Sequence, residues 1–436
     1  MTKNVFIIFA VFFIAAGAIA AGVYFLYPYN PGQPPRANET GRTKEGIKEV
    51  INANNQFALE LYSELAQSGQ NNIFYSPYSI FTALAMTYEG AKGKTAQEIK
   101  SVFHFPENNI LEPNFAKIYN DLNKPNKDYT LTTGNALWVQ KNFGLLKDYT
   151  QRVEEYYGGK ATNLDFVNET EKSRQIINSF IEEQTNNKIV NLIPTGFLDA
   201  LTRLVLTNAI YFKGEWVWQF DKNNTKEMEF HISPTKVVKT PIMYMDPKKA
   251  KFKYADLEKL QILELPYKGD QISMLILLPK QGGKYDPKTG ESINYNYTLQ
   301  DIEKDLTIEK LKEWKKQLKE TKLGSVYLPK FEIKTKYFLN KDLKALGMPT
   351  AFSSEADFSG MTGRRDLFID FVIHQAYVKV DEKGTEAAAA TAVGMNWTAV
   401  APRNIFRADH PFIFIIQQKD TGNILFLGRV IDPSKL

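Results

Sequence analysis

The chain has 436 residues, 43% of them hydrophobic and 24% charged, an ordinary globular composition that excludes a disordered, collagenous or mainly membrane-embedded protein. Its 54 Lys+Arg against 49 Asp+Glu leave a net charge of only +5 with the basic residues scattered, so nucleic-acid binding gains no support. Cysteine is absent and only His104, His231, His374 and His410 are present, which removes disulfides and thiolate chemistry and leaves few ligands for a metal or a triad.

The first element is an uncharged, almost continuously apolar run from Val5 to Leu26. At about 22 residues it can cross roughly 30 Å of hydrocarbon as a helix. Lys3 precedes it and no further positive charge occurs before Arg36, which favours an N-terminus inside with the rest translocated. Ala18-Ile19-Ala20 also fits the small-x-small cleavage pattern, so residues 1–27 read as a signal anchor or a signal peptide. Either places the body outside the cytoplasm, membrane-anchored or secreted. Residues 28–44 are rich in Pro, Gly and Asn with no apolar periodicity and read as a tether. Residues 45–436 contain no second linker and no repeat, which predicts one large domain.

Within that domain the pattern gives helices first and strands later. Lys48–Leu65 sets Val50, Ile51, Phe57, Leu61 and Leu65 on one stripe, and Ser79–Glu89 is apolar on all sides, as a buried helix is. Further helices are expected over Ala96–Phe103, Ser173–Thr185 and Ile308–Lys319. Strands are expected over Asn135–Val139, Arg203–Phe212, Leu260–Leu265, Ile272–Leu278, Ser325–Leu328, Asp370–Val380, Phe412–Gln417 and Asn423–Val430. Gln281–Gln300 is polar and reads as a long surface loop. Few helices separate the late strands, so an α+β fold with large, mostly antiparallel sheets is favoured over a doubly wound one.

No catalytic constellation emerges. HExxH, GxSxG and Cys-His pairs are absent. Gly90–Thr95 ends like a phosphate loop, but Tyr88 stands where its first glycine should be and a helix precedes it. The Lys-rich stretch around Trp314 sets its charges opposite Leu311, Trp314 and Leu318, the pattern of a solvated face. The most unusual segment is Glu382–Val393, EKGTEAAAATAV. Alanine favours a helix, yet Gly384 breaks one, Thr391 and Val393 are β-branched, and a strand-like run directly precedes it. Its side chains are mostly small enough to slip between two strands.

From Asn55–Tyr62 onward the chain resembles the serpin family. Asn72–Ile80 (NIFYSPYSI), Thr207–Trp216 (TNAIYFKGEW), Leu328–Phe331 (LPKF), Ala356–Gly360 (ADFSG), the hinge Glu382–Thr391 and Asp409–Phe414 (DHPFIF) occur in the family's order. The leader, the Gln281–Gln300 excursion and a somewhat long reactive loop depart from the pattern. The resemblance implies a large central sheet, two further sheets, about eight or nine helices and an exposed loop from Gly384 to about Phe406. It also implies a monomeric suicide substrate for a serine protease, or a cysteine protease, that forms a covalent 1:1 complex and needs no cofactor and no metal. The protease would cut the loop as an acyl-enzyme, and the freed segment from Thr385 would insert into the sheet. About 14 inserted residues would carry the enzyme roughly 46 Å.

By matching motif, the hinge is Glu382, Gly384, Thr385, Glu386, Ala387, Ala388, Ala389, Ala390 and Thr391. The gate of the sheet is Ser76, Ser79, Asn208 and His374, with Trp216 at the loop's root. None of these residues is expected to be catalytic. The family's spacing from Glu382 sets the scissile bond at Thr398-Ala399, after Trp397, with Ala399 or Val400 and then Arg403 as other candidates. A small β-branched residue at that bond suits an elastase-like or subtilisin-like enzyme. The alternative is a non-inhibitory serpin-fold binding or chaperone protein. The hinge disfavours it, because Thr385, Ala387, Ala389, Thr391 and Val393, which would share the inner face of an inserted strand, are neither charged nor large.

Overall fold

The computed structural model describes residues 36–67, 69, 71–124, 128–246, 250–286, 291–385 and 404–435, with the backbone alone over 284–286 and 291–293. The span predicted at Val5–Leu26, most of the hinge and the candidate bond at Thr398-Ala399 lie outside the described residues. Among those described, no helix is long and apolar enough to cross a membrane.

The N-terminal half is mainly helical. Helix α1 (Lys44–Gln67) buries the whole predicted stripe. After the short strand β1 (Ile73–Tyr75) comes α2 (Pro77–Tyr88), whose start is fixed by Pro77 in its first turn and by the Ser76 hydroxyl, which accepts from the Ser79 N–H. Every residue of α2 except Tyr88 is buried, as its all-round apolar sequence requires. Helices α3 (Gly93–Phe103) and α4 (Asn108–Leu122) follow. Strand β2 (Tyr129–Gln140), helix α5 (Lys147–Tyr157), strand β3 (Lys160–Leu164), helix α6 (Thr170–Gln184) and strand β4 (Leu204–Glu215) complete this half.

The remainder is mainly strand: β5 (Lys226–Ser233), β6 (Lys236–Met245), β7 (Phe252–Asp256), β8 (Leu260–Pro266), β9 (Ile272–Pro279), β10 (Gln281–Asp286) and β11 (Glu291–Asn296). Helices α7 (Leu299–Asp305) and α8 (Ile308–Lys316) precede β12 (Lys319–Thr321), β13 (Ser325–Pro329) and β14 (Phe331–Phe338). Helices α9 (Asn340–Leu346) and α10 (Ser359–Thr362) lead to β15 (Phe371–Asp381), β16 (Gly384–Thr385), β17 (Ile405–Arg407), β18 (Phe412–Gln418) and β19 (Ile424–Val430).

The strands form three large sheets. The central one runs β14-β15-β16-β4-β2-β3, a second runs β1-β19-β18-β9-β8-β7-β12, and a third runs β17-β13-β6-β5. The main core lies between the first two, with α2 inside it: Leu206, Ile210 and Phe212 from one face of β4 join Phe414 and Leu427 of the second sheet. The other face of β4, with Val205 and Ala209, packs under Ile177 and Ile181 of α6. Both faces of β4 are therefore buried, which is why its sequence reads as a continuous apolar run.

The structure alters several expectations. Gln281–Gln300 is not a loop: β10 and β11 pair antiparallel from Gln281–Asn296 to Asp286–Glu291, an arrangement hidden in the sequence because its residues show no apolar alternation. The predicted helix Ile308–Lys319 stops at Lys316, and Lys319–Thr321 pairs with β7. The end of the tether belongs to the domain: Ala37 is buried, its N–H and C=O both bond the Asn120 amide at 2.9 Å, and the Asn38 N–H donates to Glu155 O at 2.7 Å. Ten α-helical segments are described against the eight or nine expected, the surplus coming from short pieces such as the four-residue α10.

Candidate functional site

The predicted gate residues converge under the middle of the central sheet. Asn208 on β4 and His374 on β15 are direct cross-strand partners. The Ser76 N–H donates to His374 Nε2 at 3.1 Å, so the other ring nitrogen carries the proton and bonds the Asn208 side-chain oxygen. The Asn208 amide nitrogen bonds Ser79 O and, at 2.9 Å, Asn135 Oδ1. Ser79 Oγ donates to the same Asn135 oxygen at 2.8 Å, and Ser76 Oγ donates to Leu425 O at 2.6 Å. One polar knot therefore ties α2 to β2, β4, β15 and β19. His374 is wholly buried with no carboxylate bonded to it, and burial pushes its pKa down to about 3, so it is a neutral hydrogen-bonding group.

Asn135 was not among the predicted gate residues. Its signal was present, because asparagine is depleted from strand interiors and a buried one requires partners.

The second cluster lies at the top of the same sheet. β4 and β15 pair in parallel from Val205–Phe371 to Ile210–Ala376. Above that point β16 stands between them, with Thr385 opposite Val380 and Gly214, and Gly384 opposite Asp381 and Glu215. The first two hinge residues predicted in the exposed loop are thus buried sheet residues. The loop is shortened at its other end too, since Ile405–Arg407 is β17, parallel to β13.

Gly384 is required here by close approach: a Cβ on it would sit 2.0 Å from Gly214 O. Thr385 faces the core, where its hydroxyl bonds Tyr267 Oη at 2.7 Å, and Tyr267 stacks on Trp216 with ring centres 4.4 Å apart. The Trp216 indole N–H donates to Asp381 O at 3.1 Å and its backbone N–H to Lys383 O at 2.7 Å. Glu382, at the root, accepts from Lys330 Nζ at 2.9 Å and Thr225 Oγ1 at 2.7 Å. Burial opposes its charge, but these two donors outweigh that and hold its carboxyl below the ordinary carboxylate range. Tyr267, Lys330 and Thr225 were not assigned roles from sequence. Of the predicted residues, Glu386–Thr391, Thr398 and Ala399 lie outside the described residues. No group of side chains suited to a metal ion occurs among the described residues.

β4 and β15 are thus joined directly along their lower part and held apart above it by the two residues of β16.

Comparison with known proteins agrees with this geometry. A family model described as Serpin (serine protease inhibitor) matches residues 52–433. Leukocyte elastase inhibitor A of Rattus norvegicus is 40% identical over 390 residues, covering 89% of this chain and 100% of its own. An uncharacterized serpin-like protein of Thermococcus kodakarensis is 42% identical over 396 residues, covering 89% of this chain and 87% of its own. Among solved structures, the highly specific Serpin48 of the insect Tenebrio molitor superposes with a TM-score of 0.76 at 34% identity, covering 88% of this chain and 98% of its own. Uncleaved ovalbumin superposes at 0.75 and 32%, covering 88% and 100%. With a family match over most of its length and relatives at this identity, the chain belongs to the serpin family.

Proposed function

We propose that this serpin inhibits a serine protease as a suicide substrate, through cleavage of the loop between β16 and β17 and insertion of its freed segment between β4 and β15. The observation that carries the reading is the register of β16. Extending its pairing with β4 residue by residue sets Thr391 opposite Asn208 and Met395 opposite Leu204, and the same extension along β15 sets Thr391 opposite His374. At about 3.3 Å per residue, the strand from Gly384 to Met395 spans roughly 36 Å, and Thr398 emerges three residues beyond the base.

Thr385 faces the core, so alternation puts Ala387, Ala389, Thr391 and Val393 on the same side and Glu386 outward. Each inward residue is uncharged and small. Thr391 would arrive where Asn208 and His374 now bond each other. Inserting a strand moves those two apart by one further strand spacing, about 4.8 Å. The Thr391 hydroxyl can accept from the histidine N–H and donate to the asparagine oxygen, so the knot is re-formed through it. This match in register, polarity and size supports inhibition over the binding or chaperone alternative.

We place the scissile bond at Thr398-Ala399 and the target among elastase-like or subtilisin-like enzymes. The small residue at that bond and the likeness to leukocyte elastase inhibitors support this choice. The apolar run Val5–Leu26 supports a domain carried outside the cytoplasm on a membrane anchor. The functional test is incubation with a panel of serine proteases followed by denaturing electrophoresis. Inhibition gives a complex of combined mass that survives denaturation, whereas clean cleavage without a complex defeats the reading.

A further inference from the structure

The lower end of the line between β4 and β15 carries a contact that belongs neither to the polar knot nor to the hinge. Direct pairing of the two strands starts at Val205 and Phe371. Immediately before Phe371, Asp370 Oδ2 accepts two backbone N–H groups of the opposite strand, from Arg203 at 2.6 Å and from Leu204 at 2.8 Å. The Asp370 N–H donates in return to Leu204 O at 3.0 Å. The ladder therefore ends on one residue that makes three hydrogen bonds across it.

Each side of this contact is anchored to its own half of the sheet. On the β15 side the Asn340 amide, at the start of α9, donates to Asp370 O at 2.7 Å and accepts the Val372 N–H at 2.9 Å. On the β4 side Arg203 O accepts the Gln140 N–H of β2 at 2.8 Å, and the Arg203 guanidinium donates to Ala200 O at 2.9 Å and Thr202 O at 3.0 Å. Asp370 thus belongs with β14, β15 and α9, and its partners with β2 and β4. Strand ends ordinarily open first. Here the end is closed by N–H bonds to a carboxyl group, and such bonds to a charged acceptor are about twice as strong as neutral ones.

We propose that Asp370 is a clasp on the central sheet, holding β4 to β15 at the end away from the hinge and controlling how readily the two strands part along their whole direct pairing. A strand admitted between them moves them apart by about 4.8 Å. Hydrogen bonds of 2.6 to 3.0 Å do not survive that displacement, so all three at Asp370 must be released before the sheet opens to its base. The inference rests on the proposed insertion between β4 and β15 and names a control on it.

The test compares the uncut full chain as wild type, Asp370→Ala and Asp370→Asn, the last keeping an oxygen acceptor without the charge. Amide hydrogen exchange is followed without protease at residues 203–210 and 371–376, with β8 and β9 of the second sheet as reference. Asp370→Ala is expected to speed exchange about ten-fold through the whole β4–β15 pairing, and Asp370→Asn about three-fold, with β8 and β9 unchanged. Should Asp370→Ala fail to fold, the graded effect of Asp370→Asn carries the test. Exchange that is unchanged, raised at Arg203 and Leu204 alone, or raised equally in β8 and β9 overturns the clasp and leaves the inhibitory reading intact. Wild-type protein that is cut by every protease of a panel without forming a covalent complex, yet shows the expected exchange pattern, keeps the clasp and defeats inhibition.

Discussion

Single residues at the gate and the hinge carry opposite loads. Thr385 is 1% exposed and bonded to Tyr267, so Thr385→Arg buries an unpaired charge in the native state as well as in the inserted one. It is expected to lower the thermal midpoint of the uncut protein. Thr391→Arg should leave that midpoint near wild type but block insertion at the Asn208–His374 pair, turning an inhibitor into a substrate. Equal midpoints for the two variants would contradict the burial of Thr385. His374 and Glu89 make a second prediction. Burial lowers His374 to about 3, below its ordinary 6.5, so the unfolded chain binds the extra proton and stability falls as pH drops from 6.5 towards 3. Burial foremost, with Glu112 adding to it, raises the Glu89 carboxyl well above its ordinary 4.5, so the folded chain holds the extra proton and stability falls as pH rises from 4.5 towards the raised value. Between roughly 4.5 and 6.5 the two slopes oppose one another. His374→Asn should therefore uncover a loss with rising pH, and Glu89→Gln a loss with falling pH, in urea unfolding across that window. Profiles of the same slope in both variants would contradict this assignment.

Among the elements, the two-residue β16 matters most. Gly384→Ala would push a methyl group into Gly214 O, and overpacking of this kind costs about 1–3 kcal/mol. It is expected to expel β16, seen as loss of amide protection at Gly214 and Thr385 in hydrogen exchange; retained protection would show that the approach relaxes cheaply. What the sequence revealed follows from period and burial. α1, α2, β4, β9 and β15 were legible because their apolar residues recur at helical spacing or run unbroken through a sheet covered on both faces. β5, with burial alternating weakly among charged residues, and α4, Asn-rich with Pro113 inside it, gave no such pattern. The same holds at the site. Ser76, Asn208, His374 and Trp216 were singled out by local motifs, whereas Tyr267, Lys330 and Thr225 bond Thr385 or Glu382 from 52 to 157 residues away in sequence, which no local pattern encodes. Composition singled out Glu382–Thr391 as a candidate hinge, but not that Gly384 and Thr385 lie in the sheet.

At the scale of the whole molecule, the central sheet joins β4 directly to β15 in its lower part and through the two-residue β16 above, on a domain that includes Ala37. Full-length protein is expected to fractionate with membranes, with the serpin domain accessible to added protease from the side away from the cytoplasm. A mature chain whose N-terminal sequence starts near Ala21 would contradict the anchor. The central claim is that cleavage at the loop drives insertion in the register set by β16. It is tested most directly by the number of inhibitor molecules consumed per protease inactivated, measured for wild type and Thr391→Arg against the same elastase-like enzyme. The account predicts a value near one for wild type, with a complex resistant to denaturation, and a value at least ten-fold higher for the variant, cut at the same bond. Unchanged stoichiometry in Thr391→Arg would contradict insertion along this path.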